Sequence, residues 1–372
     1  MGISWRIAKI GRLSIQIDGS WLIIFALVTW SLAVSYFPQQ YRGWSPVLYW
    51  SLGLATSLLF FASVLGHELA HSLVALWQGI GVESITLFIF GGVARITEEV
   101  KSPLTEVLLA SAGPLASLTF SALFAFVWAF GCLFMASPLA ALARYLFIIN
   151  GMVALFNLIP GFPLDGGRIL RAGVWWLTGD LRGATRLAST VGQGVAFLLI
   201  FVGVWSLFRG DLGNGLWLVF IGWFLHDAAR AGYRQLLVRD IMQEMKVGDL
   251  MSRDFQPVES GILLSRLVDE YILRSRDHAY PVVDEEELLG IICLHDVKAV
   301  PRERWPTTTV KETMTPRAQL VIVSPRDDCA QAIKALSEHN IRQLLVLEGG
   351  RLVGLLRRSD VLNAVRMRQE LT

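Results

Sequence analysis

The sequence predicts a polytopic α-helical membrane protein that is followed by a soluble α/β domain. The mean hydropathy is +0.51, and 53% of the 372 residues are hydrophobic whereas only 17% are charged; soluble domains carry about 25% charged residues. Charged residues are almost absent from long stretches between about residues 20 and 232, and they reach an ordinary density after about residue 238. A repeated pattern occupies this second part. A membrane part therefore precedes a soluble part.

Charge and cysteine content exclude several kinds of function. The net charge is only +2, and no cluster of Lys and Arg with interleaved aromatic residues occurs, so no nucleic-acid partner is expected. The three cysteines, Cys132, Cys293 and Cys329, lie far apart in the chain. Neither a disulfide framework nor a thiolate metal site is therefore expected.

Six apolar segments meet or approach the roughly 20 residues that a helix needs to cross the hydrocarbon core. They are 20–36, 47–78, 104–130, 141–159, 188–208 and 214–232. With a cytoplasmic N-terminus, the inner segments contain twelve Lys and Arg residues and the outer segments contain three. Because positive residues are enriched on the inner side, we expect a multi-pass protein of the cell membrane whose N-terminus and soluble part are cytoplasmic.

A strand-turn-strand element is predicted between the second and third helices, at residues 81–100. This stretch, GVESITLFIFGGVARITEEV, is rich in β-branched and aromatic residues and is interrupted by Gly91 and Gly92. Hydrocarbon does not satisfy the backbone groups of an exposed strand. The element must therefore pack inside the protein, line a wet cavity or lie at the membrane interface.

The second apolar segment contains three ionisable side chains within five residues, in the run His67-Glu68-Leu69-Ala70-His71. Residues four apart lie on one face of a helix, so both imidazoles can reach one ion. This H-E-x-x-H spacing is typical of zinc hydrolases, in which the glutamate accepts the proton of the attacking water. Ionisable groups are costly in a bilayer and usually have a function there. The alternative is a set of hydrogen bonds between helices.

A catalytic zinc site needs a third protein ligand, for which Asp165 is the candidate. It lies in NLIPGFPLDGGRIL (157–170), where two prolines end the fourth helix and two glycines after Asp165 allow a close approach of the backbone. Alone, this pattern is typical of a turn with an Asp cap, but H-E-x-x-H in the same membrane part favours a ligand. Because His71 is only a turn or two from the inner loop, we expect a polar inlet from the cytoplasmic side.

Together, these motifs resemble those of the site-2 protease family of intramembrane zinc metalloproteases. The resemblance covers nearly all of residues 20–232 and includes HELAH, SAGPLAS (111–117), NLIPGFPLDGGR and FGGVA (90–94). SAGPLAS places small residues on one helix face, which suits close packing, and we interpret it as structural. Since a substrate helix must unwind before it is cut, residues 84–96 are expected to pair with it as an added strand. The alternative is an interfacial hairpin that only anchors the second helix.

The resemblance also implies roles for individual residues. His67, His71 and Asp165 would bind one Zn²⁺, and Glu68 would be the general acid/base. Asn157 would donate a hydrogen bond to the scissile carbonyl and support its developing negative charge. The implied reaction is hydrolysis within or near the transmembrane segment of a membrane protein, in regulated intramembrane proteolysis. Anti-sigma factors and membrane-tethered transcription factors are the substrates expected from the family.

The soluble part contains an internal repeat, in which residues 247–297 align with 310–361 at an offset near 64 residues. Each copy reads as strand, helix, strand, strand, helix. This tandem arrangement resembles a pair of CBS domains over about residues 245–365. The expected domain boundaries are 1–235 for a transmembrane zinc protease domain, 236–372 for the tandem CBS domains, and about 245–301 and 308–365 for the two repeats.

The CBS resemblance suggests a nucleotide site. Family members commonly bind adenine nucleotides such as ATP or AMP between the repeats, with an Asp on the ribose, and Asp296 and Asp360 are at the matching positions. Members that bind nucleotide often carry Ser or Thr three residues earlier, where this chain has Cys293 and Arg357. A purely structural or dimerising module, forming a homodimer, is therefore the alternative.

Two other functions fit parts of the sequence. A transporter or channel regulated by CBS domains would explain intramembrane charges next to soluble repeats. Glu68 argues against it, because a transport site gives no reason for an unpaired base beside a metal. A catalytically inactive relative is the other alternative, and the intact set of Glu68 and three candidate ligands argues against it.

Overall fold

A computed structural model describes residues 4–10, 13–89, 91–96, 100–132, 138–274, 279–285, 287–339 and 341–370. The chain forms two compact units, Met1–Tyr233 and Arg234–Thr372. Phe90, the first residue of the FGGVA motif, lies outside the described residues.

The first unit is built from helices, most of which are long and apolar, and the last of them continues past Tyr233 into the second unit. They are α1 (Gly19–Gln40), α2 (Pro46–Trp77), α3 (Pro103–Cys132), α4 (Pro138–Asn157), α5 (Asp165–Thr178), α6 (Leu181–Phe208) and α7 (Leu212–Glu244). Within the described residues, α1 to α4 and α6 are the five that are long and apolar enough to cross a membrane. The sixth predicted span, 214–232, lies inside α7. The predicted number of about six spans therefore agrees roughly with the structure.

Local signals set the ends of these helices. The hydroxyl of Ser45 accepts a hydrogen bond from the backbone N–H of Leu48, and Pro46 follows at the first helical position of α2. Helix α5 was not predicted as a separate element. It ends at Gly179, whose φ of +71° suits glycine and whose N–H donates to the carbonyl of Trp175 at 2.8 Å.

A four-stranded sheet accompanies the helices of the first unit. It contains β1 (Ser4–Ile10), β2 (Leu13–Asp18), β3 (Val82–Phe88) and β4 (Gly91–Ile96), in that spatial order. Strands β2 and β3 are parallel, and the other two pairs are antiparallel. The predicted hairpin between the second and third helices is confirmed as β3 and β4. The hairpin of β1 and β2 was not predicted, and β1 and β4 are the edges of the described sheet.

The sheet packs against the end of α2 that is predicted to face the cytoplasm, and against the start of α3. The apolar side chains of this cluster are all buried. They are Leu13, Ala75, Ile80, Val82, Ile85 and Leu109. Their burial satisfies the requirement that the strands pack against protein, and it fixes β3 and β4 beside the helix that carries HELAH.

The second unit contains two copies of one arrangement. The elements are α8 (Val247–Leu250), β5 (Val258–Glu259), α9 (Leu264–Leu267), β6 (Ala279–Asp284), β7 (Glu287–Cys293) and α10 (Leu294–Lys298), then α11 (Val310–Thr313), β8 (Thr315–Pro316), β9 (Ile322–Val323), α12 (Cys329–Glu338), β10 (Gln343–Glu348), β11 (Arg351–Arg357) and α13 (Arg358–Glu370). The predicted order of strand, helix, strand, strand, helix occurs in both copies. They form a sheet of order β5-β6-β7-β8 and a sheet of order β11-β10-β9.

The two repeats pack against each other. Ser252 and Leu355 exchange backbone hydrogen bonds of 2.8 and 2.9 Å. Leu288 of the first repeat shares a buried apolar cluster with Leu345 and Leu355 of the second. Because each repeat buries apolar surface on the other, the pair forms one module.

Candidate active site

Helix α2 presents two imidazoles on one buried face. His67 and His71 are both buried, and their Nε2 atoms lie 3.2 Å apart. Glu68 follows His67 directly and is only partly buried. The helical spacing therefore brings the two predicted nitrogen ligands together, as the sequence indicated.

Asp165 completes a three-residue cluster. It is buried at the first residue of α5, and its Oδ2 atom lies 3.3 Å from the Nε2 atoms of both His67 and His71. Within the described residues, these three form the group whose ligand atoms all lie within 4.8 Å of one another. Residues nearly a hundred positions apart in sequence thus meet at one point.

The distances between these donor atoms fit a zinc ion. With zinc–ligand distances of about 2.0–2.2 Å, two ligand atoms of a tetrahedral site are about 3.3–3.6 Å apart. The three separations observed are 3.2, 3.3 and 3.3 Å. Two imidazole nitrogens and one carboxylate oxygen are also a donor set typical of catalytic zinc, which leaves a fourth position for water or substrate.

Close backbone contacts hold Asp165 in place. A Cβ atom on Gly166 would come within 2.3 Å of the Leu158 carbonyl oxygen, and one on Gly167 within 2.3 Å of the Gly161 carbonyl carbon. Helix α5 therefore begins in direct contact with the loop that follows α4. Only glycine after Asp165 permits this approach, which is the role that the sequence predicted for the two glycines.

Helix α3 orients both imidazoles. The Nδ1 atom of His71 lies 2.7 Å from the backbone carbonyl of Leu109 and donates to it, so its Nε2 lone pair faces the cluster. The Nδ1 atom of His67 lies 2.9 Å from the hydroxyl of Ser117. Such partners fix the ring orientation of metal-binding histidines. We did not predict these contacts.

Gly113 on α3 leaves the space that the imidazoles occupy. A Cβ atom at this position would lie 2.2 Å from the Nε2 atom of His71 and 2.4 Å from that of His67. Both Gly113 and Ser117 belong to SAGPLAS. The interpretation of this stretch as packing alone was therefore incomplete, because two of its residues contact the candidate ligands.

Strand β4 runs beside the candidate general base. A Cβ atom on Gly92 would come within 2.3 Å of the Cγ atom of Glu68 and 2.9 Å of its carboxyl carbon. Since β4 is an edge of the described sheet, its backbone is available next to Glu68.

A buried charge cluster lies near the site and was not predicted. Glu106 of α3 is fully buried and forms ion pairs with Arg171 and Arg168 of α5. The guanidinium of Arg171 also lies 5.1 Å from the ring centroid of Phe162. The signal for this cluster was present in the sequence, because Glu106 is an acidic residue inside the third apolar segment.

Asn157 ends α4 and is half-buried. Its side-chain amide donates to the carbonyl of Val153, one turn earlier in the same helix, at 3.1 Å. To donate to a substrate carbonyl, this side chain would have to rotate away from Val153.

The two CBS aspartates occupy equivalent positions after a strand in each repeat. The carboxylate of Asp296 accepts the backbone N–H of Cys293 at 2.8 Å, and that of Asp360 accepts the N–H of Arg357 at 3.3 Å. Each therefore satisfies a backbone donor where its helix begins.

Burial raises the pKa of the Cys329 thiol in the same unit to about 11, so this thiol is neutral at physiological pH.

Comparison with known proteins gives two family matches. The model of Peptidase family M50 matches residues 55–137 and 132–201, and the CBS domain model matches residues 247–303 and 310–367. The two matches together include both the HELAH and PLDGG motifs and both soluble repeats.

Several relatives are similar over almost the whole chain. A Synechocystis sp. protein with the provisional name zinc metalloprotease sll0528 is 35% identical over 97% of this chain and 95% of its own length. Rip3 of Mycobacterium tuberculosis, also provisionally named a zinc metalloprotease, is 34% identical over 95% of this chain and 91% of its own length. Zinc metalloprotease MJ0392 of Methanocaldococcus jannaschii is 28% identical over 98% and 97%.

A solved structure, the site-2 protease from Methanocaldococcus jannaschii, matches with 25% identity and a TM-score of 0.43, covering 62% of this chain and 95% of that one. The assignment rests on the full-length sequence relatives and on the family matches. The chain is therefore a member of peptidase family M50, the site-2 protease family of membrane zinc metalloproteases, and carries two CBS domains after its protease part.

Proposed function

We propose that this protease hydrolyses a peptide bond within or near a transmembrane segment, at one zinc ion held by His67, His71 and Asp165. The observation that carries the proposal is the convergence of these three buried ligand atoms at 3.2–3.3 Å from one another. The adjoining Glu68 and the edge strand β4 supply a base and a place for the substrate backbone.

The chain's own residues suit the hydrolysis of an amide. When bound, zinc supplies Lewis acidity for the scissile carbonyl and for the attacking water. Glu68 accepts a proton from that water and transfers it to the leaving amine nitrogen. Asn157, after turning away from Val153, donates its amide hydrogen bond to the carbonyl oxygen as negative charge develops there. Ser117 and Leu109 keep the imidazole Nε2 atoms directed at the site.

A zinc measurement tests the proposal directly. The purified full-length protein should contain about one zinc ion per chain, as expected for a three-ligand catalytic site. Removal of zinc with a chelator should stop the cleavage of a model single-span substrate, and added zinc should restore it. Zinc content is measured by elemental analysis and cleavage by gel mobility. Full cleavage by metal-free protein would contradict the proposal.

The substrate is expected to bind as an added strand along β4. Peptide bonds in a helix are already hydrogen-bonded, so a substrate helix must unwind locally, and an unwound segment needs new backbone partners. Strand β4 offers an edge, and its Gly92 lies against Glu68. Membrane-tethered regulators such as anti-sigma factors or transcription factors are the substrates that we propose from the family.

Cross-linking tests this binding mode. In a Glu68→Ala background without the native cysteines, Val93→Cys on β4 should form a disulfide with a cysteine near the cut site of the substrate. Trp5→Cys on β1, the opposite edge, is the matched control, because Val93 and Trp5 are similarly exposed, at 54% and 49%. Equal cross-linking at both edges, or none at β4, would contradict strand addition there.

We propose that an adenine nucleotide binds between the CBS repeats and changes the cleavage rate. The support is the equivalent placement of Asp296 and Asp360 at the two strand-helix junctions of one packed module. A ligand that binds the folded state raises its thermal stability. ATP or AMP should therefore shift the melting temperature of the wild type, and less so of Asp296→Ala with Asp360→Ala. If neither nucleotide changes melting or cleavage, the module has a structural or dimerising role instead.

We propose that the N-terminus and the CBS domains are cytoplasmic, and that a second copy of the chain pairs through the CBS domains. The support for orientation is the excess of Lys and Arg in the predicted inner segments. In a background without the native cysteines, a membrane-impermeant thiol reagent that labels Val47→Cys in intact cells but not Arg351→Cys would agree with this orientation. The mass of the detergent-solubilised protein distinguishes a dimer from a monomer.

A further inference from the structure

Glu106 is the acidic residue through which helices α3 and α5 are joined. It lies in the first turn of α3 and is fully buried. Its Oε1 atom is hydrogen-bonded to the guanidinium of Arg171, and the Nε atom of Arg168 lies 3.8 Å from the same oxygen. One carboxylate thus contacts two guanidinium groups of the helix that begins with Asp165.

The position of this ion pair connects Asp165 to both histidines. Asp165 is the first residue of α5, and the two arginines follow it by three and six residues on the same helix. Three residues of α3 contact the elements of the site. Glu106 pairs with arginines of α5, the backbone carbonyl of Leu109 contacts His71, and the hydroxyl of Ser117 contacts His67. Their spacings of three and eight residues place them on one face of α3. This one face therefore sets the position of all three candidate ligands.

The stability of the fold alone gives little reason for a buried ion pair such as that of Glu106 and Arg171. Desolvation of the charges opposes their attraction, and apolar residues of similar volume often serve the fold as well. Arg171 also contacts the ring of Phe162, in the loop that leads into α5. The arrangement thus fixes α5 at its first two turns, where a small shift would move the Asp165 carboxylate away from the imidazoles.

We propose that Glu106 is a positioning residue for the metal site, which acts through Arg171 and Arg168 on the placement of Asp165. This inference rests on the proposed zinc site. Groups outside the ligand shell that orient ligands typically change metal affinity about 10–100-fold when they are replaced. A positioning residue should lose its effect when the ligand that it positions is already impaired.

The test is the zinc affinity of the full-length protein in detergent, measured by competition with a fluorescent chelator. Glu106→Gln, which keeps the shape and removes the charge, should weaken zinc binding by about 10–100-fold. In an Asp165→Asn background the same change should weaken binding by less than about threefold, because the two sites are coupled. Asp328→Asn, which breaks the exposed ion pair with Lys246 in the second unit, is the control and should leave the affinity unchanged.

The outcomes separate positioning from a purely structural role. Equal losses in the wild-type and Asp165→Asn backgrounds would overturn the proposal, and so would an unchanged affinity in Glu106→Gln. If Glu106→Gln does not fold, the triple variant Glu106→Met, Arg168→Met and Arg171→Met removes all three charges of the cluster and should fold with the same weak zinc binding. Wild-type affinity in that triple variant would overturn the proposal. A wild-type protein that binds no zinc would instead contradict the proposed function.

Discussion

Replacement of Glu68 by alanine is expected to abolish peptide cleavage while zinc remains bound. None of the three ligand atoms belongs to Glu68, and their mutual distances are set by α2, α3 and α5. A positioned general acid/base typically contributes about 10²–10⁴-fold to the rate. Cleavage of a single-span substrate should therefore fall by about 10³-fold or more, since Glu68 serves in both proton transfers of the proposed mechanism. Substrate cleavage and zinc content should be measured on the same preparation.

Glu83→Ala is the matched control for this variant. Glu83 is an exposed carboxylate on β3, in the same sheet that places Gly92 against Glu68. The Glu83→Ala variant should cleave the substrate at the wild-type rate. Cleavage retained by Glu68→Ala would exclude Glu68 as the base, and loss of zinc from Glu68→Ala would show that its side chain also supports the metal.

Gly113→Ala is expected to prevent zinc binding without altering any candidate ligand. The added methyl group would lie 2.2 Å from the Nε2 atom of His71 and 2.4 Å from that of His67, which is far inside van der Waals contact. One or both rings must then turn away from Asp165. Loss of the groups that orient metal ligands typically lowers metal affinity by about 10–100-fold. We expect the zinc affinity of Gly113→Ala to fall by at least this factor, and the cleavage rate to fall with it.

Gly194→Ala is the control because it makes the same substitution in another apolar helix, α6. A Cβ atom there would meet nothing within 4 Å. Since alanine favours helix over glycine, this variant should be at least as stable as the wild type. Wild-type zinc affinity in Gly113→Ala would mean that the imidazoles do not occupy the observed positions when metal is bound.

The long helices and the β3–β4 hairpin could be predicted from the sequence, but α5 and the hairpin of β1 and β2 could not. Apolar length alone indicates a helix such as α2, because the hydrocarbon core demands about 20 residues. Strand β2 does show an alternation of Leu13, Ile15 and Ile17. Its partner β3 pairs Ser84 with Ser14, about seventy residues away, so no local pattern reveals the pairing.

The convergence of His67, His71 and Asp165 was easier to predict than the groups that contact them. The spacing of His67 and His71 predicts that both side chains can reach one ion, and the prolines and glycines around Asp165 indicate a close approach of the backbone there. Ser117 and Gly113 act through close contacts between helices, for which small residues are the general requirement. The sequence SAGPLAS does not show whether a small residue leaves space for a neighbouring helix or for an imidazole ring.

The CBS aspartates show a different limit of sequence reasoning. Asp296 and Asp360 match positions that contact ribose in related modules, yet each carboxylate accepts a backbone N–H at the start of its own helix. An Asp in the first turn of a helix satisfies the same sequence pattern whether it caps the helix or also binds a ligand. The pattern alone therefore does not separate the two uses.

The distance along the chain between the ligands has a consequence during biosynthesis. His67 and His71 enter the membrane with α2, whereas Asp165 follows only after α3 and α4. A nascent chain that has inserted its first three helices holds two of the proposed ligands and the proposed base, without the third proposed ligand. Because helix α5, which begins with Asp165, is joined to α3 through Glu106, we expect the peptidase to become competent only when its helical bundle has closed. On the proposed mechanism, an unfinished chain would not cleave the membrane proteins around it.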